Sequence, residues 1–175
     1  MRFAPRCALF DPTVLGRLLD KYMNKHFLNK RLTHQLGFAG LVPFILLALA
    51  CWLANTDWIE VFLNAQQVYA IVTLSFLGGI HWGATLISGD LSAEQTRRAL
   101  GWSVVPVLVA CFATVCGGFR FAVLMLGFIG SYQVDKRVSA WYKAPAWFIR
   151  LRFNLTCVVV VALLLTVFAA NLRGN

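Results

Sequence analysis

Residues 66–87 read QQVYAIVTLSFLGGIHWGATLI and contain no Lys, Arg, Asp or Glu. A helix rises ~1.5 Å per residue, so about 20 such residues cross the ~30 Å hydrocarbon core of a bilayer. Four more apolar runs occupy residues 36–54, 99–116, 119–134 and 153–172. The five runs predict an all-α integral membrane protein, built as a bundle of five transmembrane helices.

Positive charge lies almost entirely on one side of these predicted spans. Fourteen of the sixteen Lys and Arg residues lie in three segments: the one before the first span, residues 88–98 and residues 135–152. The exceptions are Arg120, at the start of the fourth span, and Arg173, after the fifth. Lys and Arg in short loops stay on the cytoplasmic side. We therefore expect the amino terminus inside, in the cytoplasm or a mitochondrial matrix, and the carboxyl terminus outside.

Composition leads to the same class of protein. The chain of 175 residues is 59% hydrophobic and 13% charged, with a mean hydropathy of +0.70. A soluble domain would be about 25% charged. The basic residues that give the net charge of +9 lie in segments that alternate with the spans. This arrangement favours anionic lipids on the cytoplasmic side as partners and argues against nucleic acid. Little chain remains for a separate soluble domain.

The segment before the first span predicts an interfacial helix. Residues 1–34 form a basic arm, and residues 35–175 form the transmembrane domain. From Thr13 onward, apolar residues recur at helical spacing with charged residues between them, which is typical of an amphipathic helix lying on the cytoplasmic interface. Arg2 and Arg6 would also suit a mitochondrial presequence, but Asp11 and Asp20 oppose that reading. We expect a bacterial inner membrane, with the mitochondrial inner membrane as the alternative.

His81 is the ionisable residue that lies deepest in a predicted span. It precedes the inner end of its span by about six residues, or roughly 9 Å. Such a residue is a candidate for function, although it could equally be a neutral histidine that donates one hydrogen bond to another helix. Asp135, at the inner end of the fourth span, is its expected charged neighbour. Alternatively, Asp135 pairs with Arg137, Arg150 or Arg152.

Two further features surround His81. Gly79 and Gly83 form a GxxxG pair, which predicts close approach of another helix. Polar, aromatic and cationic residues also converge on the predicted inner rim, and this arrangement suits the head group of a lipid or quinone. The predicted ligand-binding residues are His81, Trp82, Trp102, Ser103, Tyr132, Gln133, Asp135, Trp147, Arg150 and Arg152.

Several chemistries have no support in the sequence. Bis-histidine haem needs two facing ligands, and His81 is the one histidine within a predicted span. Neither a metal-binding HExxH, a GxSxG nor a phosphate-binding loop occurs. We therefore expect no cofactor, no metal and no catalytic residue, and we lean against an enzyme.

Four motifs resemble a known family. They are GFAGLVPF at 37–44, LSFLGGIHWG at 74–83, GWSVVP at 101–106 and PAWFIRLR at 145–152. In this order they resemble the transmembrane protein 69-like family, a domain of unknown function numbered 3429, over about residues 35–170. The resemblance implies a multi-span protein of bacterial inner membranes and mitochondria. It implies no activity and assigns no site residue.

Two functions remain open at this stage. In the first, the chain is a helix-packing accessory, assembly factor or small subunit of a membrane complex, such as a respiratory one, and contacts a membrane-protein partner or another copy of itself. In the second, it binds or transports a lipid or quinone-like amphiphile at an inner-leaflet site around His81. A chain of this length would need oligomers to form a pore or carrier, which favours the first function.

Overall fold

The computed structural model describes residues 30–88, 91–138, 141 and 146–173. These residues are helical almost throughout and include no strand. The helices are α1 (Lys30–Ala39), α2 (Val42–Leu53), α3 (Thr56–Ile87), α4 (Ala93–Val115), a 3₁₀ turn (Gly117–Phe119), α5 (Arg120–Val138) and α6 (Ala146–Arg173). The predicted interfacial helix of the arm lies outside the described residues.

The chain divides into two compact units, residues 1–36 and 37–175. The first contributes part of α1 to the described residues. In the second, α3 is the central helix, because it packs against α2, α4, α5 and α6. Helix α6 also packs against α2 and α5, and α4 packs against α5. Every site discussed below lies within this second unit.

Helix ends follow ordinary capping chemistry. Ser92 caps α4 with a capping box, in which its hydroxyl accepts from the Gln95 backbone and the Gln95 side chain accepts from the Ser92 backbone. Gly117 begins the turn between α4 and α5 with φ +51°, a left-handed conformation that glycine adopts without steric cost. Gly117 therefore permits the tight turn between these two helices.

The second span begins earlier in the structure than the sequence predicts. The predicted spans 36–54 and 66–87 leave residues 55–65 as a loop, but α3 begins at Thr56 and its apolar stretch runs from Asp57 to Ile87. Asp57 lies in the first turn, where a carboxylate interacts favourably with the helix dipole. Ile59 and Leu63 are buried on the same helix face. Local capping and packing thus extend the helix beyond the length that hydropathy alone indicates.

A break between α1 and α2 is compensated by α3. The helical path is interrupted at Gly40 and Leu41, and Pro43 lies in the first turn of α2, where its missing N–H costs little. The Tyr69 hydroxyl donates to the Gly40 carbonyl at 2.9 Å, and the Gln66 amide donates to the Phe44 carbonyl at 3.4 Å. In hydrocarbon, backbone polar groups need such partners.

Among the described residues, four helical segments are long and apolar enough to cross a membrane. They are Arg31–Leu53, Asp57–Ile87, Ala93–Val115 and Ala146–Arg173. Their outward side chains are large and apolar, for example Leu46, Phe76, Leu108 and Leu164, and each of these is more than half exposed. The chain is therefore a multi-pass membrane protein whose outer surface suits lipid. Helix α5 is not among the four, because Asp135, Lys136 and Arg137 occupy its last turns.

Close packing of the helices in this chain depends on Gly78 and Gly127, not on the predicted pair Gly79 and Gly83. A Cβ added at Gly79 or Gly83 would meet no atom within 4 Å, so no helix of the described chain approaches this pair, and its contact with another helix stays a prediction. A Cβ at Gly78 would lie 2.3 Å from the Ser103 carbonyl oxygen of α4. Similarly, a Cβ at Gly127 would lie 2.7 Å from Leu74 and 2.9 Å from Val109. Gly78 and Gly127 thus allow α3, α4 and α5 to approach one another closely.

Replacing Gly78 with Ala should lower the melting temperature of the purified protein in detergent. The new methyl would collide with a backbone oxygen, and overpacking of this kind costs about 1–3 kcal/mol. Gly79→Ala is the matched control, since its methyl enters open space. Equal melting temperatures for the two variants would contradict the packing role of Gly78.

Candidate functional site

A buried carboxylate on one helix contacts polar side chains from two other helices. Asp135 of α5 is 4% exposed. Its Oδ1 accepts from Nε2 of His81 on α3, and its Oδ2 accepts from Nε of Arg152 on α6 at 2.6 Å. A second Arg152 nitrogen, Nη2, also contacts Oδ2. We name this cluster the buried triad, and it confirms the predicted contact between His81 and Asp135.

The triad has a defined protonation pattern. An ionised carboxylate only accepts hydrogen bonds, so Nε2 of His81 carries the hydrogen that it donates. Nδ1 is then the remaining ring nitrogen of His81, and in the neutral ring it is an acceptor. The guanidinium of Arg152 compensates the charge of Asp135. The alternative pairing of Asp135 with an arginine is therefore also realised, and the arginine is Arg152 rather than Arg137 or the exposed Arg150.

Helical periodicity carries the triad residues to the bundle interior. On α5, Asp135 continues a buried row formed by Phe121, Leu124, Phe128 and Ser131. On α6, Arg152 begins a buried row that continues through Thr156, Val159, Leu163 and Thr166. Spacings of three and four residues place each row on one helix face. A charged residue in such a row enters the core with its apolar neighbours and requires partners there.

A long groove lies beside the triad, between α4 and α5. Its volume is about 940 Å³. Most of its wall is apolar and consists of Val105, Pro106, Leu108, Val109, Phe112, Val123, Leu126, Gly127, Gly130, Val134 and Val138. One end is polar and aromatic and consists of His81, Arg98, Trp102, Ser131, Gln133, Arg137 and Trp141. The groove therefore joins an apolar channel to a cationic rim, as an amphiphile would require.

Some predicted site residues lie together and others do not. His81, Trp102 and Gln133 line the groove, while Asp135 binds both His81 and Arg152. The others lie elsewhere. Ser103 is buried under Gly78, Trp82 is exposed, Trp147 packs against Phe148, and Tyr132 and Arg150 line a second hollow of about 380 Å³.

Sequence reasoning missed four polar or aromatic residues of the groove: Arg98, Ser131, Arg137 and Trp141. A sequence signal was present for one of them. Arg98 precedes Trp102 by four residues, and residues so spaced share a helix face. Ser131 is 6% exposed and its Oγ has no hydrogen-bond partner. Which faces of α4 and α5 enclose the groove depends on how these helices pack, and no local spacing gives that.

Fold and site together define a multi-pass α-helical membrane protein with a buried ionic cluster and a groove that is apolar along most of its wall and polar at one end. The chain belongs to the family described as "Protein of unknown function (DUF3429)", whose model matches residues 29–168. It is 36% identical over 134 residues to Transmembrane protein 69 of Xenopus tropicalis, covering 73% of this chain and 50% of that protein. The chain thus spans about half the length of that curated relative. No solved structure matches it.

Removing Arg152 should destabilise the bundle strongly. In Arg152→Leu, Asp135 remains as an uncompensated buried charge, and breaking a buried pair in this way costs about 3–5 kcal/mol. The double variant Asp135→Asn/Arg152→Leu removes both charges and keeps an acceptor for His81. We expect it to be more stable than Arg152→Leu alone in thermal unfolding in detergent.

Arg150→Leu is the control for loss of an arginine from the same helix turn, because Arg150 is exposed. A melting temperature as low as that of Arg152→Leu would show that the buried pairing is not the cause. A double variant no more stable than Arg152→Leu would contradict the charge argument directly.

Proposed function

We propose that this protein binds an amphiphile in the groove between α4 and α5. The observation that carries the proposal is one continuous cavity of about 940 Å³, apolar along its length and polar at one end. Small-molecule sites typically have volumes of about 300–1,000 Å³, with apolar walls and a few placed polar groups. From Arg98 to Phe112 the groove follows α4 for about 21 Å at ~1.5 Å per residue. That length exceeds the ~15 Å of one leaflet of the hydrocarbon core.

A glycine of α5 leaves open space that is part of the groove. Gly127 and Gly130 face it from α5, and Pro106 faces it from α4. A Cβ at Gly130 would meet no atom within 4 Å, so the space beside this residue belongs to the groove. The space beside Gly127 is already occupied by Leu74 and Val109. Gly130 is therefore the position at which the groove can be filled without disturbing the bundle.

Gly130→Leu should remove the amphiphile that copurifies with the protein. The leucine side chain enters the groove, where it occupies the volume of the ligand. Gly79→Leu is the matched control, since Gly79 is also an exposed helical glycine without neighbours but lies outside the groove. The measurement is native mass spectrometry of each variant after gentle solubilisation, followed by extraction and identification of the bound molecules.

Wild-type protein and Gly79→Leu should carry a bound molecule at near-stoichiometric occupancy, and Gly130→Leu should carry at least tenfold less. Equal occupancy in all three proteins would contradict the proposed site. The melting temperatures of the two variants should agree closely, so that occupancy is compared between folded proteins.

A role as an accessory or assembly protein is the second candidate function. Gly79 and Gly83 support it, because a GxxxG pair without neighbours in the described chain leaves room for a helix of another protein. The variants Gly130→Leu and Gly79→Leu also test this role, and their expected effects are exchanged. A protein partner should copurify with Gly130→Leu and be lost with Gly79→Leu. A partner that remains bound to Gly79→Leu would contradict this role for the pair.

We further propose five spans, with the amino terminus inside, and a bacterial inner membrane as the location. Arg120 at the start of α5 bonds to Asn64 of α3 at 3.2 Å, and Asp135 near its end bonds to His81. From Asn64 to His81, α3 rises about 26 Å at ~1.5 Å per residue. Helix α5 accompanies α3 over that distance, which supports a fifth span of short apolar length, with Lys136 snorkelling to the interface.

Reporter fusions along the chain should alternate in sidedness. Fusions after Asn55, Gly118 and Arg173 should report the outside, and fusions after Ser88 and Trp141 should report the cytoplasm, because the basic segments are retained there. Activity of alkaline phosphatase and fluorescence of a green fluorescent protein fusion provide complementary readouts. A cytoplasmic Arg173 fusion would contradict the five-span topology.

A further inference from the structure

We infer that the groove selects an acidic phospholipid, whose phosphate is held at the rim by Arg98 and Arg137. This inference rests on the proposed binding function and names its ligand class. It draws on three observations about the groove: the sign of the charge at its rim, the compensation of charge at its deeper polar level, and the order of polar and apolar groups along its length.

The rim is cationic without compensation from the groove wall. Arg98 and Arg137 line it, and no Asp or Glu of the described residues does. Arg98 has one ionic partner, Glu94, in an exposed pair at 2.8 Å. Exposed pairs of this kind are weak, so Arg98 can exchange Glu94 for a ligand. Two guanidinium groups at one opening suit a phosphate, since arginine matches phosphate oxygens in geometry as well as in charge.

The deeper polar level has its ionic partners within the protein. His81 lines the groove, and the negative charge of its partner Asp135 is compensated by Arg152. The carboxylate and the guanidinium at this level are therefore already paired with each other. The ring nitrogen Nδ1 can interact there with an uncharged polar group. An anionic group is therefore attracted to Arg98 and Arg137 at the rim, which lies closer to water than His81 does.

The order of groups along the groove follows that of a phospholipid. Arg98 precedes Trp102 by four residues on α4, so the rim lies about one turn, or ~5 Å, outside the level of Trp102. Trp102 and Trp141 both line this end, and tryptophan is typical of the head-group level. Beyond Trp102 the wall becomes aliphatic. A phosphate at the rim, ester groups beside His81 and an acyl chain along the apolar wall would match this sequence of surfaces.

The test measures lipid binding to the full chain purified in detergent and freed of lipid by exchange. Dioleoyl phosphatidylglycerol and dioleoyl phosphatidylcholine are titrated separately, since they share acyl chains and differ in head-group charge. Native mass spectrometry gives the occupancy. Arg137→Gln and Arg98→Gln should each weaken phosphatidylglycerol binding by about fivefold, the ratio expected for one basic residue near a lipid head group. Phosphatidylcholine binding should change by less than twofold.

Arg97→Gln is the matched control, because Arg97 neighbours Arg98, is likewise exposed and does not line the groove. It should bind both lipids as wild type does. Two competitors identify the source of the recognised chemistry. Inorganic phosphate at millimolar concentration and a quinone with an isoprenoid tail should both leave phosphatidylglycerol bound. Displacement by phosphate alone would indicate a free anion as ligand, and displacement by the quinone would indicate a neutral ring. Either result would overturn the inference.

Equal affinity of wild type for the two lipids, or equal weakening by Arg97→Gln and Arg137→Gln, would also overturn it. Gly130→Leu separates this outcome from failure of the proposed function. If Gly130→Leu abolishes binding of both lipids while the lipids bind equally to wild type, the groove binds amphiphiles without regard to charge. If Gly130→Leu changes neither affinity, the groove is not the site, and both proposals fail.

Discussion

The carboxylate of Asp135 is the group on which one end of the bundle depends. A charge in a low-dielectric interior is costly unless opposite charge and hydrogen bonds compensate it. Asp135 obtains both from other helices, His81 of α3 and Arg152 of α6. The requirement therefore fixes the relative position of three helices that apolar packing alone would allow to slide. It also holds the imidazole of His81 at the wall of the groove.

The other end of the bundle is fastened by the two arginines that violate the general charge asymmetry. Arg173 donates to the carbonyls of Cys51 and Ala54 at 3.2 and 2.8 Å, at the end of α2. Arg120 donates to Asn64 and lies 3.9 Å from Glu60, near the start of α3. Terminal helix carbonyls need such partners. These arginines are positioned by local polar groups, and the fourteen remaining basic residues carry the orientation signal.

Between the two ends, glycine sets the spacing of the helices and thereby the shape of the groove. Gly78 brings α3 against α4, and Gly127 admits Leu74 and Val109. The space between the outer faces of α4 and α5 remains open beside Gly130, where a Cβ would meet no atom within 4 Å. Gly130 thus contributes open space to the groove. Its cationic rim follows from the last turns of α5 and the first turns of α4.

The sequence by itself determined the class of protein, because hydrophobic run length and composition respond directly to a bilayer of fixed thickness. It also predicted the contact of His81 with Asp135, since both are ionisable residues near the same end of apolar helices, although it left the arginines as alternative partners of Asp135. Tertiary structure decided which arginine joins them, which glycine is packed, and where the groove lies. GxxxG spacing places Gly79 and Gly83 on one face but leaves open which face meets a neighbour, and Gly78, one residue away, occupies the contact. A rotation of about 100° per residue separates those faces, and only the packing of whole helices selects among them.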